Sequence, residues 1–124
     1  MEGLVSIALG GALGAVCRYE AGNMAVRHLG GSLPYGTFII NLIGCFCMGL
    51  LMTLIVDRGL LPPAWRLFLC VGFLGGFTTF SSFGYETFTL LAEGNLLMAV
   101  FYAAGSTLLG LLAAAVGVLA ANIF

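Results

Sequence analysis

Four apolar stretches, each long enough to cross a lipid bilayer, take up almost the whole of this chain. A helix spans the roughly 30 Å hydrocarbon core with about 20 residues. That length is met from about Leu4 to Val26, Tyr35 to Val56, Trp65 to Ala92 and Leu96 to Ile123. The punctuation between them is brief: Gly30-Gly31-Ser32-Leu33-Pro34, then Asp57-Arg58-Gly59 with Pro62-Pro63, then Glu93-Gly94-Asn95. Only 7% of the 124 residues are charged, against roughly a quarter in a soluble domain. The expected fold is an all-α membrane protein, one four-span transmembrane domain over residues 1–124.

Charge excludes some functions and leaves orientation open. The net charge is −1 and there is no lysine, so the chain lacks the basic footprint of nucleic-acid binding. With four spans, the N-terminus, the second loop and the C-terminus share a side, which carries Arg58 and Arg66. The other side carries Arg27 and, in part, His28. Orientation follows the Lys/Arg excess, and here the bias is about one charge. Both orientations are therefore expected to insert. A chain present both ways can pair as an antiparallel homodimer about an axis in the membrane plane, reproducing the inverted repeats of many transporters.

The four cysteines, Cys17, Cys45, Cys47 and Cys70, lie in apolar stretches without CxxC pairing, and read as small buried hydrophobes. The start of the chain, with Glu2 in place of a basic region, does not read as a cleavable signal.

The third stretch departs from an ordinary transmembrane helix. From Val71 to Glu86 it is crowded with glycines and hydroxyls, with an aromatic ring every three to four residues. Glycine and the β-branched Thr78-Thr79 pair both weaken a helix. A break at membrane depth is tolerated only where protein, water or an ion satisfies the freed backbone. Phe77, Phe80 and Phe83 recur at every third residue, with Gly76, Thr79 and Ser82 in a parallel register. Rings turned edge-on present a positive rim to an anion, and weak repeated sites suit conduction. Thr79 and Ser81 add hydroxyls, and Glu86 follows as either a gatekeeper or an interfacial carboxylate. Freed carbonyls of Gly75 and Thr78 would suit a hard cation, one Na⁺ where two chains meet.

The other spans carry fewer polar groups. Gly10 and Gly14 form a GxxxG, a mark of close helix packing, and Arg18 continues that face. Arg18 either draws anions into a vestibule or snorkels to the interface. Asn41 either bonds a neighbouring helix or faces a pore as a donor, with Gly44 one turn on. Tyr102, Ser106 and Gly110 make a polar row on the fourth span, beside Thr107, that is either interhelical or pore-lining. No nucleophile with a base, no His/Cys cluster and no phosphate loop is present, so no enzyme is expected.

Three strings together resemble one family. Gly10-Gly11-Ala12-Leu13-Gly14-Ala15-Val16-Cys17-Arg18-Tyr19 is similar to the first signature of the Fluc (CrcB) fluoride channels. Gly36-Thr37 with Asn41-Leu42-Ile43-Gly44-Cys45-Phe46 and Gly49 resembles the second, and the stretch from Gly72 to Phe83 the third and most specific. Length, span number and loop placement agree over the whole chain. The resemblance implies a passive fluoride channel of the bacterial inner membrane, an antiparallel dual-topology homodimer with two pores and a central structural Na⁺. It implies that Phe80 and Phe83 contact fluoride, that Asn41 donates to it, and that Gly75 and Thr78 carbonyls bind Na⁺. It also implies that Arg18 serves the vestibule, and Tyr102 with Ser106 a polar track. Cys45 stands where the family often has Ser, and Ser82 where it often has Thr.

Two other readings account for the residues less well. A small multidrug-resistance-type, proton-coupled cation exporter needs a carboxylate near the middle of span one, where this chain has Gly10 to Ala15. A non-transporting membrane assembly subunit would account for the GxxxG but not for the polar segment of span three.

Overall fold

The computed structural model describes residues 1–124, and all of the regular structure is helical. Helix α1 covers Glu2–Leu29 and ends where Gly30 takes φ +84°, a left-handed turn suited to glycine. Helix α2 starts behind Pro34, covers Tyr35–Met52, and runs on through a widened turn, Thr53–Asp57. Helix α3 comprises the wide-turned Arg66–Leu74 and the short continuation Gly75–Phe77. Helix α4 covers Phe80–Ala92 and α5 covers Leu96–Ala121. The first two of these, the stretch Arg66–Ala92 and α5 are the four helical segments long and apolar enough to cross a membrane.

Side-chain ends close the later helices. Thr79 caps α4 by accepting from the Ser82 N–H at 3.1 Å, and Asn95 caps α5 by accepting from the Met98 N–H at 3.4 Å. At the other end of α5, Arg58 Nη1 donates to the Ala121 carbonyl at 3.1 Å. A cation there answers both the unpaired carbonyl and the negative end of the helix dipole. The bond sets the loop after α2 beside the end of α5, as an even number of crossings between them requires.

Packing rests on missing side chains. Helix α1 lies against α3 through Gly10 and Gly14 on one side and Gly72 and Gly76 on the other. A Cβ on Gly14 would strike the Phe73 carbonyl, and one on Gly72 would come within 2.9 Å of the Ile7 carbonyl. Between helices in lipid, where burying apolar surface gives little drive, such close backbone approach is the source of contact. Helix α2 lies against α5 in the same manner, Gly49 facing Ala114 and Gly117 facing Phe46 and Leu50. The GxxxG of span one is therefore a packing motif, and Gly72 with Gly76 is its counterpart.

Only 15 of 124 residues are buried, so most apolar side chains point outward. Leu4, Leu13, Leu97, Leu108 and Leu111 are all more than half exposed, a surface suited to lipid or to another apolar partner. A small core of Leu90, Ala99 and Tyr102, flanked by Phe38 and Phe83, ties α4 and α5 to α2.

Candidate functional site

The site is organised around Thr78 and Thr79. Both are extended, with φ, ψ of −83°, 160° and −150°, 117°, between the helical ends at Phe77 and Phe80. Thr79 is held by α2: its N–H donates to Asn41 Oδ1 at 2.9 Å, and its carbonyl accepts from Asn41 Nδ2 at 3.0 Å. This reciprocal pair fixes which way the Asn41 amide faces. The Thr78 hydroxyl and N–H both donate to the Leu74 carbonyl, at 2.8 and 3.0 Å. Arg18 reaches from α1 and donates through Nε to the Gly76 carbonyl at 3.0 Å. Backbone groups that a continuous helix would pair internally are thus met by side chains from two other helices.

Two cavities meet at Thr79. One, of about 480 Å³, is polar and includes Arg18, Asn23, Thr37, Ser82, Glu86 and Glu93 in its wall. The other, of about 340 Å³, is lined by Asn41, Gly44, Cys45, Thr78, Phe80, Phe83, Ser106 and Thr107 among others. In the second, the Phe80 and Phe83 rings sit 5.8 Å apart and tilted at 48°. Phe80 is 84% exposed, whereas Phe83 leans on Tyr102 at 5.2 Å. The Ser106 hydroxyl is buried without any hydrogen-bond partner. Its row-mates are otherwise engaged: Tyr102 donates to Glu86 over a long 3.4 Å, and Gly110 backs onto Cys45. Thr107 Oγ1 donates to the Ala103 carbonyl of its own helix at 2.9 Å.

Several expectations need correction. Phe77 does not share a stripe with Phe80 and Phe83. It stacks on Phe73 at 5.9 Å, because the two extended residues reset the helical phase. Ser81 does not stand beside the rings either. One position along α4 turns it to an outer recess with Thr37, Ser82, Tyr85 and Glu86. Cys17 is exposed where a buried thiol was expected, while Cys70 is buried. Thr78 lines the second cavity, and Gly75 is exposed in the short helical turn before it.

Other residues find their place between the options left open. Arg18 faces the polar cavity and grips a carbonyl, so it does not snorkel away. Glu86 is half-buried in the same wall and takes the Tyr102 hydroxyl. Asn41 bonds the neighbouring backbone with one N–H of its two, and also lines the second cavity. Thr37 was missed as a site residue, although it lies one turn before Asn41 and borders both the polar cavity and the outer recess.

The family model described as "CrcB-like protein, Camphor Resistance (CrcB)" matches residues 5–118. The chain belongs to the CrcB family. A CrcB-family relative from Chloroflexus aurantiacus, named "Fluoride-specific ion channel FluC", is 53% identical over 118 residues, 95% of this chain and 94% of that protein. A protein of the same name from Acidobacterium capsulatum is 47% identical over 116 residues, 94% of this chain and 93% of its own. One from Trichormus variabilis is 42% identical over 116 residues, 93% and 85% of the two chains. As a CrcB-family member with four spanning helices, this is a multi-pass membrane protein.

Proposed function

We propose that this chain forms a fluoride-selective channel for passive export of cytoplasmic fluoride across the bacterial inner membrane. The observation that carries the reading is the cavity in which the Asn41 amide, the Phe80 and Phe83 rings and the unpartnered Ser106 hydroxyl converge. Each offers an anion a weak positive contact: an N–H, a ring edge, an O–H. None is a full charge, so a dehydrated small anion is received without being trapped. Arg18 is the cationic side chain in the wall of the adjoining cavity, where it offsets part of the negative charge of Glu86 and Glu93. The names of the relatives support the same substrate.

The physiology follows from acid–base chemistry. Hydrogen fluoride crosses lipid when neutral and dissociates inside, leaving the anion trapped. A narrow pore lets that anion leave down its gradient with no energy coupling. Narrowness and small-anion hydrogen bonding disfavour chloride, which is larger and whose desolvation such a pore compensates poorly.

The same reading includes an antiparallel dual-topology homodimer with two pores, in which the third span works as a broken helix. The exposed apolar faces of the single chain and its near-balanced arginines support it. It also includes a structural Na⁺. The residues fit one: the Gly75 and Thr78 carbonyls have both lost their usual helical donors, and carbonyl oxygen is a ligand that hard cations take. A bound sodium ion would supply fixed positive charge and hold the extended pair in shape. A proton-coupled cation exporter is not favoured, since mid-α1 is packed glycine against α3 and Glu20 is exposed.

The test is fluoride efflux from proteoliposomes, read with a fluoride-selective electrode and no proton gradient. Rapid efflux above empty vesicles is expected, and its replacement by gradient-dependent or absent transport would overturn the reading. The C-terminus tests the assembly: a tag accessible from one membrane face alone removes dual topology.

A further inference from the structure

We infer that Asn41 is a positioning residue for a backbone cation site, holding Thr79 so that the Gly75 and Thr78 carbonyls stay open to a hard cation. The inference rests on the reading above for the identity of the ion and extends it to what builds the site. In a continuous helix the Thr79 N–H would close the Gly75 carbonyl, and the Ser82 N–H would close that of Thr78. The first is donated instead to Asn41 Oδ1 at 2.9 Å, the second to Thr79 Oγ1 at 3.1 Å. Two side-chain oxygens thus divert the two donors, and two carbonyls three residues apart are released together. Carbonyl oxygen is the ligand that small hard cations prefer, and unwound backbone at membrane depth is where such ions are held.

Asparagine suits this task where neighbouring chemistries do not. It accepts from the Thr79 N–H and donates to the Thr79 carbonyl at once. A leucine would do neither, and an ionised aspartate would lack the donor. The grip is local to α2, for Gly44 one turn on leaves the recess that receives the Thr78 methyl. Asn41 therefore acts toward the cation through Thr79 without touching it, a role separate from any contact its second N–H makes with an anion.

The experiment uses the full chain purified in detergent, its thermal midpoint followed against NaCl with ionic strength held by N-methyl-D-glucamine chloride. The wild-type midpoint should rise and saturate. Asn41→Leu and Thr79→Ala should each raise the sodium concentration at half-effect about tenfold, because each lets a donor return to its carbonyl. Thr79→Ser keeps the diverting oxygen and should restore the wild-type value. Ser106→Ala, which alters only the cavity wall, should leave the sodium response in place. Wild-type sodium dependence in both Asn41→Leu and Thr79→Ala overturns the inference. Should Asn41→Leu fail to fold, the Thr79→Ala and Thr79→Ser pair decides alone. A wild-type chain that passes fluoride without any sodium response sinks this inference and spares the channel. A sodium response with no fluoride flux does the reverse.

Discussion

The Cγ2 methyl of Thr78 occupies the space that a Cβ on Gly44 would need. The extended backbone at Thr78 is thus seated in a recess on α2, and the recess exists because one residue lacks a side chain. Gly44→Ala forces either helix to give way. It should destabilise the chain by about 1–3 kcal/mol and lower fluoride flux as well. Thermal melts and electrode traces on the same preparation check both.

Phe80 and Phe83 line one cavity but differ in support. Phe80 is 84% exposed, whereas Phe83 packs on Tyr102. Phe80→Ile should slow efflux about tenfold, a barrier change of ~1.4 kcal/mol, with little change in melting. Phe83→Ile should slow efflux and also lower the midpoint. Unchanged flux in both variants would remove the ring-edge contact from the mechanism.

Ser106 carries a buried hydroxyl with no partner. Deleting an unsatisfied polar atom costs no hydrogen bond, so Ser106→Ala should be neutral or slightly stabilising. Its fluoride flux should nonetheless fall, since Ser106 is part of the cavity wall. A loss of flux accompanied by a large loss of stability would assign Ser106 to packing.

Gly14 sits against the Phe73 carbonyl with no room for a side chain. Gly14→Val should part α1 from α3 and cost about 3 kcal/mol or more, the upper range for overpacking.

Arg58 caps the end of α5 through the Ala121 carbonyl. Arg58→Gln should lower stability by about 0.5–1 kcal/mol, the worth of a cation at a helix end, while leaving flux per folded channel unchanged. Melting and electrode measurements separate the two effects.

The spans were legible because their ends are written in proline and glycine. The expected Trp65–Ala92 and the observed Arg66–Ala92 differ by one residue for that reason. Part of one cavity wall was legible, since Asn41, Thr79, Phe80, Phe83 and Ser106 do converge on it. What failed was phase. A period of three drawn through Phe77 assumed continuous winding, and two extended residues cancel it. Ser81 failed for a different reason: one position along α4 from Phe80 is about 100° around the helix. Side chain-to-backbone bonds were also illegible: the partners of Asn41, Arg18 and Arg58 are backbone groups 38, 58 and 63 positions away, and backbone carries no letter of its own.

The Arg58–Ala121 bond has a consequence in time. Sixty-three positions separate the two residues, so Arg58 is made and threaded into the membrane long before its acceptor exists. During that interval its guanidinium is a free charge, of the kind that insertion reads to set direction. Once the last helix is complete, the same group is bound to its end. One arginine therefore counts first toward a near-balanced charge bias during biosynthesis and afterwards serves as a fastener, and the bond that secures the finished chain forms only when the last helix is in place.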